Sequence, residues 1–254
     1  MNAAPAISVV LPVFNEEKNI VDLLEEIVSV FKTVIRETCE IIVVDDCSDD
    51  VGVARVEAFA SRLENWIERQ VGASSIQIRL LSTTVRSGQS EALLQGMSAA
   101  QGELIVTMDA DGQHDPADIP RLLAAMNSCD MVCGIRKNRT DGAARWISSK
   151  IANGFRNLIT GDTLTDAGCT FRVLRKFCVP SLHTLRGKLF GCEFFFHPLF
   201  LSKQGYAFTQ IPVSHRARRF GKSKYQLFRG RFIRGLSACV RIRGILKRCQ
   251  NKTC

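Results

Sequence analysis

One stretch decides the fold: Glu103-Leu104-Ile105-Val106-Thr107-Met108-Asp109-Ala110-Asp111-Gly112-Gln113-His114-Asp115. Its apolar first half predicts a buried strand, and Gly112 predicts a turn at the carboxyl end of that strand. Ligands of open α/β sheets bind outside the carboxyl ends of the strands, so Asp109 and Asp111 are expected beside a ligand. Two carboxylates there suit Mg²⁺ or Mn²⁺, which take oxygen ligands and often share them with a diphosphate. The alternative is an acidic turn whose carboxylates only accept hydrogen bonds from backbone amides.

The sequence around this stretch alternates between strand and helix patterns. Strand patterns cover 7–14, 40–46, 76–82 and 131–135, and helical patterns cover 16–34, 51–69, 90–100 and 116–126. Asn15 is expected to cap the first of these helices. The unbroken run Ile41-Ile42-Val43-Val44 is typical of a parallel sheet that is covered on both faces. The alternation predicts a doubly wound, mostly parallel α/β sheet flanked by helices.

Two of the predicted strands end in acidic residues. Asp45-Asp46 end the second strand, and Asp109-Ala110-Asp111 follow the fourth. Because the carboxyl ends of parallel strands meet at one edge of a sheet, we expect both groups to lie close together. One acidic strand end can arise by chance, whereas two that converge can hold a nucleotide and its metal.

The strand and helix patterns are weaker after Ile135. Helices are predicted at 146–159 and 193–203, and strands at 169–174 and 208–213. Neither a linker rich in Pro, Gly or Ser nor an internal repeat separates this half from the first. We therefore expect one domain over residues 1–225, followed by a basic amphipathic segment at 226–254.

The composition is that of a globular protein with one large domain. The 254 residues are 46% hydrophobic and 23% charged, which is enough to bury a sizeable core. No window approaches the ~18 uninterrupted apolar residues of a membrane span, and the N-terminus does not resemble a signal peptide. The ten cysteines include no Cys-x-x-Cys pair, and with only four histidines a structural zinc site has little support. We expect a cytoplasmic protein with reduced thiols.

The net charge of +9 is unevenly distributed. No Asp or Glu follows Glu193, and residues 203–254 carry 14 Lys or Arg, whereas residues 1–202 carry 20 basic and 25 acidic side chains. The basic tail favours an anionic partner, either phosphate, anionic lipid or nucleic acid. Because Gly230, Gly235 and Gly244 interrupt it, we expect short helices on an anionic membrane surface rather than one long helix. The alternative is a helix docked on the domain, at a contact with a second copy or with a membrane-anchor subunit.

Several motifs in a fixed order resemble one family of enzymes. They are Val10-Leu11-Pro12-Val13-Phe14-Asn15-Glu16-Glu17, Val43-Val44-Asp45-Asp46-Cys47-Ser48-Asp49-Asp50 and Asp109-Ala110-Asp111-Gly112-Gln113-His114. Together they resemble the family 2 inverting glycosyltransferases with the GT-A fold, because dispersed motifs in order are more specific than any one motif. Gly134-Ile135-Arg136, Asp166-Ala167-Gly168-Cys169-Thr170-Phe171-Arg172 and Arg218-Arg219-Phe220-Gly221-Lys222-Ser223-Lys224 are similar to the dolichyl- and polyprenyl-phosphate hexosyltransferases, of the dolichol-phosphate mannosyltransferase type. The resemblance covers about residues 7–225.

The resemblance implies a role for each site residue. It places the nucleotide sugar against Pro12, Phe14, Glu16, Asp45, Gly88 and Asp109. It implies that Mg²⁺ or Mn²⁺ is held by Asp109, Asp111 and Gln113. The catalytic residues would be Asp111, Arg136 and Arg218, and the acceptor phosphate would be bound by Arg145, Ser223 and Lys224.

The sequence departs from the family pattern in two loops. Cys47 stands where the family has a glycine, which makes a positive φ less accessible to the turn after Asp45. The loop after the third strand, Arg86-Ser87-Gly88, lacks the asparagine that usually precedes its glycine.

The resemblance implies transfer of a hexose, of mannose or glucose type, from a GDP- or UDP-sugar to a polyprenyl or dolichyl phosphate, and the residue types are compatible with this chemistry. A divalent cation can neutralise the departing diphosphate, and arginines match phosphate oxygens. A phosphate acceptor is already a nucleophile at pH 7, which explains why no base stands out. A hydroxyl of a glycolipid or saccharide would instead need a carboxylate, for which Asp166 and Glu193 are the candidates. Asp166 alternatively caps the turn before Cys169 or organises the acceptor loop. His114 either touches the site or is a turn residue bonded to backbone.

Other classes of function fit less well. A nucleotidyltransferase usually has a Gly-rich loop after its first strand, and the segment from Val10 to Asn15 has none. A non-catalytic sugar-nucleotide-binding subunit would not need Asp109, Asp111 and Gln113 intact. The tail has few aromatic residues and no base-reading module, which argues against nucleic acid. We predict an enzyme that is peripheral on the cytoplasmic membrane face.

Overall fold

The computed structural model describes residues 5–68, 76–137, 142–220 and 228–250. Its strands are β1 (Ile7–Val13), β2 (Cys39–Asp45), β3 (Ile76–Ser82), β4 (Leu104–Thr107), β5 (Met131–Arg136), β6 (Arg172–Arg175) and β7 (Phe208–Val213). They form a seven-stranded sheet in the spatial order β3-β2-β1-β4-β6-β5-β7. Both halves of the chain contribute strands to this sheet, as the lack of a linker indicates.

All strands of this sheet except β6 point the same way. β1 is parallel to β2 and β4, β2 to β3, and β5 to β7, whereas β6 is antiparallel to β4 and β5. The carboxyl ends of the other strands therefore lie at one edge of the sheet, which we call the carboxyl rim. The chain winds outward from β1 toward β3 and later from β4 toward β7, so the switch point of the topology lies between β1 and β4. The predicted doubly wound, mostly parallel sheet is confirmed.

Helices connect most of the strands and cover the sheet. They are α1 (Ile20–Val30), α2 (Gly52–Glu68), α3 (Gln89–Ala99), α4 (Ile119–Ala124), α5 (Gly142–Thr160), α6 (Val179–Leu182), α7 (His197–Ser202) and α8 (Phe228–Gln250). α1 continues as a π-helical turn at Phe31–Ile35, and 3₁₀ turns lie at Pro116–Asp118, Ala125–Ser128, Lys176–Cys178, His183–Leu185 and Glu193–Phe196. The helix predicted at 193–203 is thus a 3₁₀ turn followed by α7.

Both faces of the sheet are buried, as the continuous apolar strands predict. Val9 and Leu11 of β1 belong to the core under α1, α2 and α4. Val10 points to the opposite face and packs with α3, α6, α7 and α8. On that face a Cβ at Gly96 of α3 would lie 2.4 Å from Val10 Cγ1, so glycine is what lets α3 approach the sheet.

The loop after β1 differs from the prediction. α1 begins at Ile20, and Asn15 does not cap it. Asn15 lies in the left-handed region with φ of 53°, where its Nδ2 donates to Asp49 Oδ1 at 2.5 Å and its Oδ1 accepts from the Asp49 amide at 3.0 Å. The side chain therefore joins the β1–α1 loop to the β2–α2 loop, an interaction between distant segments that local helix signals do not report.

The turn after β2 is left-handed despite the missing glycine. Cys47 has φ of 63°, a conformation that costs a non-glycine residue about 1–2 kcal/mol. The turn thus takes a positive φ although Cys47 makes that conformation less accessible than glycine would.

The C-terminal segment also differs from the prediction. α8 is one helix of 23 residues that runs through Gly235 and Gly244. It packs against α5 and buries Ala238, Ile242 and Ile245, and this burial offsets the low helix propensity of its glycines. The expected series of short helices is wrong, and the alternative of a docked helix is what the described residues show. Within the described ranges, no helix combines the length and the hydropathy that a bilayer crossing requires.

Candidate active site at the carboxyl rim

Five loops meet where the topology switches. Four follow β1, β2, β3 and β4, and the fifth is the segment 214–220 after β7, which we call the strap. Ligands of open α/β sheets bind at such a switch point. The rim therefore brings together acids that are far apart in the sequence, as predicted.

The first acidic pair, Asp45 and Asp46, accepts hydrogen bonds from two different loops. Asp46 accepts hydrogen bonds from the Ser87 amide at 2.6 Å, from Ser87 Oγ at 2.8 Å and from the Gly88 amide at 2.8 Å. Gly88 has φ of 89°, which requires glycine at this point of the loop. Asp45 accepts from the Ser48 amide at 3.3 Å and is 4% exposed. Asp46 thus positions the loop after β3, a role that the sequence does not distinguish from that of Asp45.

The second acidic pair lies at the centre of the rim. Asp109 Oδ1 accepts from Gln89 Nε2 at 2.5 Å, at the first residue of α3, and Asp111 Oδ1 accepts from the Gln113 amide at 3.1 Å. Burial and then the charge of Asp111 raise the pKa of Asp109. Burial also raises the pKa of Asp111, against the opposing charge of Arg218. A cation beside these two carboxylates is favourable, because both are partly desolvated and their negative charges repel each other.

Arg218 of the strap supplies positive charge to this pair. Its Nη2 lies 2.5 Å from Asp111 Oδ2, and its Nη1 lies 3.3 Å from Glu16 Oε1. Glu16 is itself 9% exposed and accepts from Asn19 Nδ2 at 2.7 Å. The guanidinium therefore bridges the loops after β1 and β4.

The strap is tied to the domain by further contacts. Arg216 donates from its amide to Gln113 O at 2.7 Å, and its guanidinium lies 2.6 Å from Glu26 and 2.7 Å from Asp115. A β-bridge joins His114 to His215. These contacts hold the strap across the loop that carries both central acids.

Arg136 lies at the carboxyl end of β5 and forms a bidentate pair with Asp166. Arg136 Nε lies 2.8 Å from Asp166 Oδ2, and Nη2 lies 2.8 Å from Oδ1. Burial acts to lower the pKa of Arg136, but the hydrogen bonds and charge of Asp166 outweigh it and raise that pKa. A Cβ at Gly168 would lie 2.9 Å from Arg136 Nη2, so this glycine makes room for the guanidinium. The predicted roles of Asp166, as a base, as a cap of the turn before Cys169 or as an organiser of the acceptor loop, did not include this pair with Arg136.

His114 is buried beneath the central acids. It is 2% exposed, its Nε2 lies 3.1 Å from Thr170 Oγ1, and Asp109 Oδ2 is 4.0 Å away. Burial, with the charge of Arg136, lowers the pKa of His114 to about 3. The imidazole is thus neutral at pH 7 and touches the site through Asp109, but its geometry supports the loop rather than proton transfer.

The residues present fit a divalent cation that completes its coordination with substrate. No cluster of three His, Cys, Asp or Glu able to enclose a metal occurs in the described part of the chain. Mg²⁺ typically takes one or two carboxylates and shares the remaining positions with phosphate and water, and Asp109 and Asp111 match that requirement. Gln113 Nε2 donates to Arg216 O at 3.4 Å, which leaves its amide oxygen as the atom to offer a cation.

Two more of the predicted site residues, Phe14 and Pro12, lie at or next to the carboxyl end of β1. Phe14 follows β1 at the rim, and Arg86 lies 3.8 Å from its ring centroid, a stacking that no sequence signal reveals. Pro12 lies in β1 beside Val44, one residue before the strand ends. The side chain of Arg145 on α5 is outside the described part, as are Ser223 and Lys224.

The sheet order and the acids at its switch point define a GT-A type of fold. Solved structures of glucosyl-3-phosphoglycerate synthase from Mycobacterium tuberculosis are similar to it. The complex with Mn²⁺, uridine-diphosphate and phosphoglyceric acid has a TM-score of 0.64 and 20% identity, covering 92% of this chain and 78% of that chain. The complex with Mg²⁺ and uridine-diphosphate has a TM-score of 0.64 and 21% identity, covering 92% and 79%. At this identity the likeness shows the fold.

Sequence comparison identifies the family. Residues 8–180 match the family described as Glycosyl transferase family 2, and the chain belongs to that family. A relative is the undecaprenyl-phosphate 4-deoxy-4-formamido-L-arabinose transferase of Pseudomonas fluorescens (strain Pf0-1), which is 32% identical over 224 residues. The match covers 88% of this chain and 61% of that relative, so the chain spans less than two thirds of its length. The predicted family and fold are confirmed.

Proposed function

We propose that this protein is an inverting, metal-dependent glycosyltransferase. It moves a hexose, of mannose or glucose type, from a GDP- or UDP-sugar to a polyprenyl or dolichyl phosphate. The observation that carries the proposal is the pair Asp109 and Asp111 at the β1/β4 switch point, with Arg218 2.5 Å from Asp111. Family membership and the name of the undecaprenyl-phosphate relative support it.

The donor half of the site combines carboxylates that suit a metal ion with arginines that suit the diphosphate of the donor. When bound, Mg²⁺ or Mn²⁺ supplies a Lewis acid that neutralises the diphosphate as it departs. Asp109, Asp111 and Gln113 are the residues that would hold it. Arg218 turns from Asp111 toward the phosphate oxygens, and the planar fork of Arg136 stays fixed by Asp166. The nucleoside occupies the rim beside Phe14, Glu16 and Asp45.

The acceptor half favours a phosphate over a hydroxyl. Asp166 is committed to Arg136 through both oxygens, and His114 has a pKa of about 3 and binds Thr170. Neither is placed to remove a proton from an alcohol. Glu193, the other candidate, is buried and holds the Leu189 amide through its Oε1 at 2.8 Å. A phosphate monoester needs no such base, because it is largely dianionic at pH 7. Arg145, Ser223 and Lys224 remain the proposed ligands of this phosphate.

Segment 226–254 is proposed to lie on an anionic membrane surface, which would place the enzyme peripherally on the cytoplasmic face. α5 and α8 pack together and leave large apolar side chains exposed, with Leu158 82%, Val240 63% and Ile151 60% exposed. Arg241 and Arg243, which follow Val240 along α8, add positive charge to this helix. The alternative partner for this surface is a second copy or an anchor subunit. Sedimentation with anionic liposomes at low and high salt tests the proposal, and no binding at low salt would refute it.

The activity is tested with purified protein, radiolabelled GDP-mannose or UDP-glucose, Mn²⁺ and a polyprenyl phosphate. Asp111→Asn should abolish transfer. The melting temperature should stay close to that of the wild type, because burial already disfavours the charged form of Asp111, the Asn oxygen can still accept from Arg218, and Arg218 keeps its contact with Glu16. Asp130→Asn is the matched control, because Asp130 precedes β5 at the opposite edge of the sheet and accepts from the Ala207 amide at 2.9 Å. Unchanged turnover in Asp111→Asn would remove the metal assignment. Transfer to a glycolipid hydroxyl, with none to the phosphate, would show that the acceptor is a hydroxyl and not a phosphate. Binding of the nucleotide sugar without transfer to either acceptor would indicate a non-catalytic subunit.

A further inference from the structure

A fully buried arginine, Arg172, lies close to the carboxyl rim. It is the first residue of β6, the antiparallel strand, and pairs with Thr107 at the carboxyl end of β4. Its exposed fraction is 0%, and its guanidinium donates hydrogen bonds to backbone carbonyls. A buried charge is costly unless it is paired or hydrogen-bonded, so these carbonyls are what makes a cation acceptable in the core.

The guanidinium of Arg172 satisfies three buried carbonyl groups at once. Nη2 donates to Ala167 O at 2.7 Å, Nε to Cys169 O at 2.9 Å and Nη1 to Phe194 O at 2.8 Å. The guanidinium carbon also lies 3.9 Å from the centroid of the Phe194 ring. These three residues are buried, so water does not replace the donor, and an unsatisfied carbonyl would destabilise the folded state. Arginine suits the position because its planar fork carries five N–H donors.

Two of these carbonyls belong to the loop that faces Arg136. We call residues 166–170 the support loop. Its middle residue is Gly168, where a Cβ would lie 2.9 Å from Arg136 Nη2. The carbonyls bound by Arg172 are those of the residues directly before and after this glycine. Arg172 therefore holds the peptide groups on both sides of the contact with Arg136.

Both ends of the support loop contact the candidate active site. At its first residue, Asp166 binds Nε and Nη2 of Arg136, each at 2.8 Å. At its last residue, the Thr170 hydroxyl hydrogen-bonds Asp109 and lies 3.1 Å from His114 Nε2. A displacement of the support loop would therefore move an arginine assigned to the phosphates and an acid assigned to the metal.

We propose that Arg172 is a positioning residue for the transfer reaction, because it fixes the support loop in the geometry from which Asp166 aims the guanidinium of Arg136. The inference rests on the proposed function, which makes Arg136 important for the reaction. Arg172 has no exposed surface with which to touch substrate, so it acts through Asp166. Carbonyl partners suit this task, since a carboxylate bound to Arg172 would compete with Asp166 for Arg136.

The first test reads the Arg136 side chain directly. Arg172→Lys keeps the charge but offers one nitrogen in place of three. The Nε–H signal of Arg136 is followed in a proton–nitrogen correlation spectrum of isotopically labelled protein and is identified by its loss in Arg136→Lys. Arg172→Lys should shift this signal by more than its line width. Arg175→Lys is the matched control, because Arg175 lies on the same strand and donates to Met126 O at 3.1 Å, and it should leave the signal unchanged.

The second test measures kcat for transfer, well below the melting temperatures of all variants. A misplacement of about 1 Å can cost about a hundredfold in rate, so Arg172→Lys should lower kcat about tenfold or more. In the Asp166→Asn background Arg136 has already lost its bidentate partner, and there Arg172→Lys should lower kcat less than about twofold. A purely structural role would lower the melting temperature but leave kcat of the folded protein and the Arg136 signal unchanged.

The outcomes separate this inference from the proposed function. An unchanged Arg136 signal in folded Arg172→Lys would overturn the inference, as would an equal loss of kcat in the wild-type and Asp166→Asn backgrounds. If Arg172→Lys does not fold, the same two criteria apply to Phe194→Leu, which removes the ring against the guanidinium and keeps all three carbonyls. Absence of transfer by the wild type would overturn the proposed function, whereas a shifted Arg136 signal would still support the positioning of Arg136 by Arg172.

Discussion

Replacing Arg218 tests whether a cation is required between Asp111 and Glu16. Arg218 is 22% exposed, and the Asp111 and Glu16 side chains it contacts are 11% and 10% exposed, so solvent screens these pairs only in part. Arg218→Gln should leave both carboxylates uncompensated. Loss of a hydrogen bond to a charged group costs about 1.5–3 kcal/mol, and we expect about 2 kcal/mol here.

The expected change is measurable by thermal unfolding without ligand. For a chain of this size, about 2 kcal/mol corresponds to a fall in melting temperature of about 4–8 °C. Mn²⁺ should then stabilise Arg218→Gln more than the wild type, because the arginine no longer competes for Asp111 Oδ2. At a concentration near 100 times its Kd, a bound ion stabilises the native state by about 2.7 kcal/mol.

The neighbouring arginine provides the control. Arg219 is 54% exposed and lies 3.6 Å from Asp22 and 3.7 Å from Glu26, so Arg219→Gln should change stability by less than about 0.5 kcal/mol. An unchanged melting temperature for Arg218→Gln, or an equal Mn²⁺ effect in Arg218→Gln and the wild type, would contradict the role assigned to this arginine.

Three further predictions concern stability. Cys47→Gly should raise the free energy of unfolding by about 0.5–1 kcal/mol in urea denaturation, because it relieves the left-handed strain, whereas Cys47→Ala should not. Gly96→Ala should lower it by about 1–3 kcal/mol, since the added Cβ would lie 2.4 Å from Val10 Cγ1, while Gly235→Ala, with open space around it, should be neutral or stabilising. Burial, with the charge of Arg172, lowers the pKa of His197 to about 3 from 6.5, so the stability it contributes is complete above about pH 6.5 and is lost as the pH falls toward 3. His197→Leu should reduce this acid loss, by up to about 1.4 kcal/mol per pH unit, and an identical pH profile would contradict it.

Much of the architecture could be predicted because it depends on local patterns. Continuous apolar runs bounded by turn residues specify the strands, and the order of strands and helices limits the sheet to a doubly wound topology. The convergence of Asp45 and Asp111 follows from that topology, because parallel strands end at one rim. The confirmed family membership agrees with the same motifs.

The errors come from contacts between distant segments. Asn15 has the residue type of a helix cap, but Asp49 from another loop offers it a better partner. The glycines of α8 predict breaks, but packing against α5 outweighs their low propensity. In each case tertiary contacts supply more free energy than the local preference on which the prediction rested.

The sequence by itself determined the sheet, the acidic strand ends and the chemistry they suit, since these depend on residue type and spacing along the chain. Only the tertiary structure decided which donor each carboxylate binds. Asp46 binds the amides of the loop after β3, Asp166 binds the guanidinium of Arg136, and Asp111 binds the guanidinium of Arg218. The physical reason is that the interaction energy of a charged side chain depends on its distance to a partner and on its burial in the folded molecule. The partners of these acids lie between 30 and 107 residues away along the chain, so local spacing does not encode them.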